Sequence, residues 1–319
     1  MNEKQHALRG ILCTAMGGVL WGFSGTCGQY LFTQYSISSL WLTCVRLLVA
    51  GAALTLMAIP KESARLRGIW RYPKDILRLL IYGVCGLMLC QYAYMTAISH
   101  SNAATATVLQ TLNLVFTMLV VCLWTRRLPV VREAVSLVLA VAGTYLMATG
   151  GDPGHLQLSG WGLFWGLTTA ASVTIYVMLA SWVLPRWGRM VITGYGMLAG
   201  GLVLSLTSRV WRIPVSLPFS GWLAVCAVVL LGTIVAFPLF MQGVADIGPV
   251  KSSMIAATEP VSATLLSALW LKTRFSLADL IGFACIVATI FLLARPEPEQ
   301  KAPDKEPAEA EKEPSEISS

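Results

Sequence analysis

Ten long apolar stretches run through the chain and divide into two sets of five, and this feature limits the possible folds most strongly. An α-helix needs about 20 apolar residues to cross a bilayer. A unit of five crossings begins and ends on opposite sides, so a second copy of the unit lies upside down relative to the first. The stretches cover residues 11–32, 39–59, 76–97, 103–124, 130–149, 159–183, 190–208, 221–244, 250–271 and 276–294.

Composition excludes a soluble domain. The chain is 56% hydrophobic and 12% charged, whereas soluble domains carry about 25% charged residues. We therefore predict an all-α membrane protein of ten transmembrane helices, arranged as two inverted five-helix repeats. The first repeat takes residues 1–149 and the second takes residues 150–294. Residues 295–319 are rich in charge and proline, and we expect them to form a disordered cytoplasmic tail.

Basic residues predict the orientation. With the N-terminus in the cytoplasm, the loops on that side hold most of the Lys and Arg residues, as the positive-inside rule requires, and both termini are cytoplasmic. The four bases on the other side, Arg209, Arg212, Lys272 and Arg274, fit this orientation less well. We assign the net charge of +7 to topology and to contact with membrane lipids, so nucleic acid is not expected as a partner.

An internal repeat appears when the chain is compared with itself at a shift of 146 residues. Residues 94–124 then align with residues 240–270, and a short basic loop follows each segment. Glu133 aligns with Asp279 at the start of the last span of each half. Identity between the halves is low, so the shared order of polar interruptions carries the comparison.

Glu259 is the polar residue that most strongly indicates a site. It lies in the middle of the ninth span, directly before Pro260. A carboxylate at mid-bilayer costs about 2.5–3.5 kcal/mol on insertion scales unless it is paired or hydrated, and such residues are functional candidates by default. Proline kinks a helix, and a kinked helix could line a cavity. Glu259 could bind a cationic substrate or carry a proton; alternatively, neighbouring hydroxyls and amides satisfy it and it only joins helices.

Arg46 is the other charge within a span. It lies in the first half of the second span, where it could pair with Glu259 or bind an anionic group of a substrate. It could equally extend outward toward the headgroups. The sequence leaves these readings open.

The fourth span is rich in polar side chains. Gln110 and Asn113 are three residues apart, a spacing that places them on one helix face. The 146-residue shift aligns Asn113 with Glu259, as expected of a cavity on a pseudo-two-fold axis. The alternative is hydrogen bonding between spans four and nine. Thr107 of the same span is a further candidate for the pocket. Hydroxyl, amide and aromatic groups in other spans are candidates as well: Trp21, Ser24, Gln91, Tyr94 and Tyr176.

Motifs typical of enzymes are missing from the sequence. It contains no HExxH, no Walker loop, no GxGxxG and no clustered histidines or carboxylates. We therefore expect no catalytic residues, no metal site and no cofactor.

Two segments resemble a known family. Residues 267–294, SALWLKTRFSLADLIGFACIVATIFLLA, and their counterpart VCLWTRRLPVVREAVSLVLAVAGTYLMA resemble the closing helices of EamA-type members of the drug/metabolite transporter superfamily. SNAATATVLQ and ATEPVSATLLS resemble a YicL-like bacterial inner-membrane subgroup. The turn before each fifth helix departs from the family pattern, with Thr125-Arg126 and Lys272-Thr273 in place of a Gly-Glu pair.

The resemblance implies transport of small metabolites, often amino acids or related compounds, through a cavity lined by spans one, three, four, six, eight and nine. We therefore predict a secondary active transporter or exporter in the bacterial inner membrane that works by alternating access, with protons as a candidate coupling ion. An uncoupled uniporter or exchanger, and a membrane sensor or assembly protein, are the alternatives. Substrate, direction and oligomeric state do not follow from the sequence.

Overall fold

The structure is a computed structural model that describes residues 3–152 and 157–293. Regular secondary structure within these two ranges is helical throughout. The predicted disordered tail, residues 295–319, lies outside the described residues.

The α-helices are named in chain order. They are α1 (Glu3–Tyr35), α2 (Ser39–Gly68), α3 (Pro73–Ile81), α4 (Leu89–His100), α5 (Ala103–Thr111), α6 (Asn113–Thr125), α7 (Val131–Thr149), α8 (Gly160–Trp187), α9 (Arg189–Ser208), α10 (Phe219–Cys226), α11 (Ala236–Ile247), α12 (Pro249–Ile255), α13 (Thr258–Leu269) and α14 (Leu277–Leu293).

Eight helical segments of the described chain are long and apolar enough to cross a membrane. Some of them contain two helices joined end to end, such as residues 73–100 and 219–247. The other two predicted spans are shorter, because α14 has 17 residues and the ninth span is divided between α12 and α13. An all-helical fold with several membrane-length helices is therefore confirmed.

Two of the predicted spans are interrupted rather than continuous. The fourth breaks at Leu112, whose N–H donates to Leu109 O (3.1 Å), and the ninth breaks before Glu259, whose N–H donates to Ala256 O (2.9 Å). The kink expected at Pro260 thus lies just before it. Proline fits the first turn of a helix, but without an N–H it cannot continue the hydrogen-bond ladder back to Ala256.

Local features recur at the 146-residue interval found in the sequence. π-Helical segments lie at Tyr82–Met88 and Ala227–Val235, joining α3 to α4 and α10 to α11. Arg126 and Lys272, which end the two broken spans, both adopt the left-handed conformation, with φ of 52° and 53°. A further pair of corresponding positions, the residues directly before α7 and α14, is capped by an acid in each half.

This capping uses one acid in each half. Glu133 accepts a hydrogen bond from Val130 N–H at 3.0 Å, and Asp279 accepts one from Ser276 N–H at 2.8 Å. The two acids are 146 residues apart and each satisfies a free N–H at a helix start. Equivalent capped turns therefore precede α7 and α14, and these two helices pack against each other.

Contacts between helix termini define two ends of the bundle. At the near end, where α1 begins, Arg9 forms an ion pair with Asp246 of α11 (2.6 Å), and Arg186 of α8 forms one with Asp75 of α3 (2.9 Å). At the far end, where α1 finishes, Tyr35 bonds to Ser220 of α10 (2.9 Å). α1 therefore runs from near to far, and α8 runs from far to near.

Glycine allows α1 to approach α13 closely. A Cβ atom at Gly22 would lie 2.7 Å from Glu259 O and 2.8 Å from Ala263 N, and one at Gly200 of α9 would lie 2.6 Å from Gly83 O. Small residues permit such approaches where lipid surrounds the helices. The contact at Gly22 fixes the helix of Glu259 directly beside α1.

Candidate functional site

A cavity of about 550 Å³ lies inside the bundle. It extends from Arg189 and Val244 at the near end to Tyr94 and Thr107 toward the far end. Arg189 is exposed, whereas Tyr94 and Thr107 are buried, so the cavity opens toward the near end. Nine of the ten predicted site residues line it: Trp21, Arg46, Gln91, Tyr94, Thr107, Gln110, Asn113, Tyr176 and Glu259.

Glu259 reaches the cavity from the first turn of α13, just after the break in the predicted ninth span. The N-terminal end of a helix favours a negative charge through its free N–H groups. Glu259 is the one acid among the described lining residues. The break, the helix start and the cavity together give this carboxylate a position where it can contact a ligand.

Arg46 enters from α2 and is held on the π-helical segment 227–235. Its Nε donates to Thr233 Oγ1 (2.9 Å) and its Nη2 donates to Gly232 O (3.3 Å). The residue is 5% exposed, so the side chain lies inside the bundle and does not extend toward the headgroups. Nη1 is buried and has no hydrogen-bond partner, so both of its N–H donors are unused.

Arg46 and Glu259 line the same cavity, but the ion pairs within 4.0 Å in the described part of the chain do not include this pair. The site therefore presents a cationic group and an acidic group separately. An interior positive charge lowers the cost of a carboxylate at moderate separation, and the two groups could also contact opposite parts of one ligand.

Polar groups close the cavity toward the far end. Tyr94 and Thr107 share a hydrogen bond between their hydroxyls at 2.8 Å. Gln110 also lines the cavity, and its Oε1 is buried without a partner. A buried acceptor without a partner costs about 1–3 kcal/mol, so a ligand that donates a hydrogen bond to Gln110 Oε1 would relieve this cost.

Asn113 begins α6 after the break at Leu112, and Glu259 occupies the corresponding place in α13. The backbone carbonyl of Asn113 accepts a hydrogen bond from Thr174 Oγ1 of α8 (3.1 Å). Asn113 and Glu259 therefore face one cavity from two helix starts.

Ser24 is the predicted residue that lies apart from the cavity. Its hydroxyl donates to Val228 O at 3.4 Å, and it packs against Gly232, where a Cβ atom would collide with the Ser24 side chain. The side chain is 1% exposed. The Ser24 side chain therefore packs α1 against the π-helical segment 227–235, and this geometry does not support a role for Ser24 in the site.

Aromatic rings form much of the apolar wall. Trp21 packs on Phe240 with ring centroids 5.0 Å apart, and Tyr82 packs on Tyr176 at 6.4 Å. The sequence interpretation included Trp21 and Tyr176 but missed their partners. Phe240 has no polar group that could mark it in the sequence. Tyr82 has the same hydroxyl as Tyr176, but only the fold places it at the cavity.

The cavity also uses helices that the family resemblance did not imply. Arg46 of α2, Thr193 of α9 and Ile290 of α14 line it, and so does Arg189, which the sequence suggests is a loop base. Arg189 Nη1 lies 3.2 Å from Met241 Sδ across the near-end rim. Within residues 3–152 and 157–293, His, Cys, Asp and Glu side chains form no group of three that could hold a metal ion.

Comparison with known proteins gives a family match over both halves of the chain. The model of the EamA-like transporter family matches residues 8–149 and again residues 160–295. The uncharacterized inner membrane transporter YicL of Salmonella typhimurium is 34% identical over 286 residues, which cover 90% of this chain and 95% of YicL. The uncharacterized transporter YetK of Bacillus subtilis is 24% identical over 251 residues, with 75% and 73% covered.

The crystal structure of another protein has a related fold. It gives a TM-score of 0.60 at 20% sequence identity and covers 91% of this chain and 96% of its own. At this identity the likeness concerns the fold alone. The bundle described above is therefore an architecture that occurs in another protein.

Proposed function

The chain belongs to the EamA-like transporter family, and on that premise we propose that it carries small metabolites across the bacterial inner membrane as a secondary transporter. The observation that carries the proposal is the cavity, which is open at the near end, closed at the far end and lined by Glu259. Its volume of about 550 Å³ lies within the usual range for small organic ligands.

The lining of the cavity and the family support a proposal for the substrate class. The aromatic wall would contact the apolar part of a ligand, while Arg46, Gln110 and Glu259 would contact its polar groups. Amino acids or related compounds have this mixture of groups. Glu259 would bind the cationic part of the substrate or exchange a proton with water in the cavity.

Two inverted five-helix repeats, residues 1–149 and 150–294, would supply the movement. The two family matches, the features repeated at 146 residues and the opposite directions of α1 and α8 support this arrangement. Rocking of one repeat against the other would expose the cavity to each side in turn. In this proposal the ten helical segments cross the membrane, both termini are cytoplasmic and the near end faces the cytoplasm.

Inversion predicts that corresponding loops lie on opposite sides of the membrane. In a variant without native cysteines, single cysteines at Leu128 and Leu277 are expected to react with an impermeant maleimide from opposite faces, because Leu128 precedes α7 and Leu277 begins α14. Both side chains are exposed. Labelling intact cells and inverted vesicles measures this, and reaction of both positions from the same face would contradict the inverted repeats.

Transport itself is tested by reconstitution. Proteoliposomes loaded with a cell metabolite extract are expected to release or exchange at least one small metabolite faster than liposomes without the protein, measured by mass spectrometry. The candidate metabolites come from profiles of cells with and without the protein. If no metabolite crosses faster than in the control, the alternative role as a membrane sensor or assembly protein gains support.

Coupling of transport to a proton gradient would distinguish the proposed secondary active transporter from an uncoupled uniporter or exchanger. An imposed pH gradient is expected to change the initial rate if Glu259 carries a proton during the cycle. A rate that ignores the gradient would favour the uncoupled alternative and leave Glu259 only the role of contacting substrate.

A further inference from the structure

The far end of the bundle is closed by one buried glutamine that bonds to three separate segments. Gln29 of α1 is 6% exposed. Its Oε1 accepts from Ala103 N–H at 2.8 Å and from Ser267 Oγ at 3.2 Å, and its Nε2 donates to Thr273 Oγ1 at 3.0 Å. We name Gln29, Ala103, Ser267 and Thr273 the far-end latch.

The latch joins the parts that must separate for the cavity to open on this side. Ala103 is the first residue of α5, Ser267 lies near the end of α13, and Thr273 lies in the turn before α14. The Ala103 N–H has no partner within its own helix, as is usual for the first residues of a helix. Gln29 therefore supplies an acceptor that α5 cannot supply for itself.

The latch lies directly beyond the closed end of the cavity. One turn before Gln29, a Cβ atom at Gly25 would lie 2.6 Å from the hydroxyl of Tyr94, the residue that ends the cavity together with Thr107. Tyr30 also stacks on Trp270 with centroids 5.3 Å apart. Beyond the closed end of the cavity, α1 is thus joined by hydrogen bonds to α5, α13 and the turn before α14, and by an aromatic contact to Trp270, the residue after α13.

The corresponding positions at the near end cannot make the same bonds. Subtracting or adding 146 residues replaces Ser267 by Val121 and Ala103 by Pro249. Valine offers no hydroxyl and proline has no N–H.

The near-end position that corresponds to Thr273, the third partner of Gln29, also differs in its chemistry. Thr273 corresponds to Arg127, whose guanidinium binds both carboxylate oxygens of Glu133 at 2.7 and 2.8 Å. These positions at the near end therefore lack the partners that a glutamine needs. This difference agrees with a cavity that is closed at the far end and open at the near end.

We propose that Gln29 is the gating residue of the far end, and that exposure of the cavity on that side requires its three hydrogen bonds to break together. The proposal deepens the proposed function, since it identifies which residue controls access to the same cavity. The sequence interpretation did not include Gln29 in the site.

Accessibility of a native cysteine tests the latch without a known substrate. Cys90 lines the cavity and is kept, while the other seven cysteines are replaced: Cys13, Cys27, Cys44, Cys85, Cys122, Cys226 and Cys285. In membranes, a charged methanethiosulfonate is expected to modify Cys90 only from the face that carries the N-terminus. With Gln29→Leu, modification from the opposite face is expected to become about tenfold faster or more, since several buried hydrogen bonds are lost.

Thr26→Val is the matched control. Thr26 lies three residues before Gln29 and is fully buried, but its hydroxyl donates within α1, to Gly22 O at 2.9 Å. This variant is expected to keep the far face closed. Equal opening in both variants, or Gln29→Leu as closed as the parent, would overturn the latch.

Hydrogen exchange gives a second readout that does not depend on Cys90. Exchange of the amides at the start of α5 is expected to be about tenfold faster in Gln29→Leu, because the Ala103 N–H loses its acceptor, and to be unchanged in Thr26→Val. Unchanged exchange in Gln29→Leu would contradict the proposal. If Gln29→Leu opens the far face but the protein transports no metabolite, the gating role of Gln29 is supported and the proposed function is contradicted.

Discussion

Replacing Glu259 by glutamine is expected to lower the transport rate by about tenfold or more and to abolish any response to a pH gradient. Glutamine keeps the size of the side chain but has neither a charge nor a transferable proton. A hydrogen bond to a charged group contributes about 1.5–3 kcal/mol, and each 1.4 kcal/mol changes a rate or affinity about tenfold. Initial rates in proteoliposomes, with and without an imposed gradient, measure both effects.

The matched control for this variant is Glu62→Gln. Glu62 lies outside the cavity lining and pairs with Arg65 at 3.6 Å. It is partly buried, and its Oε2 is buried without a hydrogen-bond partner, so glutamine removes a charge away from the cavity while keeping the size of the side chain. This variant is expected to transport like the parent. Glu259→Gln with an unchanged rate and an unchanged response to pH would remove Glu259 from the mechanism and favour a purely structural carboxylate.

The helical fold could be predicted because lipid leaves few choices. A chain that crosses hydrocarbon must satisfy its own backbone hydrogen bonds, so apolar runs of sufficient length become helices. The break at Leu112 and the π-helical segments did not follow, and Pro260 indicated a kink in the ninth span but not that the break lies before Glu259. They depend on shifts of single hydrogen bonds, which an average over some 20 residues cannot detect.

The candidate site was predictable where a polar group stands in an apolar run. Tyr94, Gln110 and Glu259 gave that signal and line one cavity. Ser24 gave the same signal but bonds to a backbone carbonyl between helices. A polar residue in a span must find a partner, and the sequence does not say whether the partner is a ligand or another helix.

Gln29 shows the converse error. It lies in the first apolar stretch and carried the same signal, but the sequence interpretation passed over it. Its three partners come from positions 74 to 244 residues further along the chain. The hydrogen bonds of Gln29 can be recognised only when the fold brings these segments together. Every polar residue within a span is therefore a candidate for the site until its partners are known.

Replacing Arg46 by glutamine is expected to lower both stability and transport. The change leaves Thr233 Oγ1 and Gly232 O without at least one of their donors, and each buried polar group without a partner costs about 1–3 kcal/mol. It also removes the positive charge that shares the cavity with Glu259. We expect a lower unfolding temperature in detergent and a transport rate reduced about tenfold or more for substrates with an anionic group.

Thr233→Val separates the two effects of Arg46. This variant removes the acceptor of Nε and keeps the charge, so it is expected to lower stability while transport falls much less than in Arg46→Gln. Arg65→Gln, which changes an exposed side chain near the end of α2, controls for loss of a positive charge elsewhere. If Arg46→Gln and Thr233→Val lower transport equally, then Arg46 serves to hold α2 against the π-helical segment and its charge does not contact the substrate.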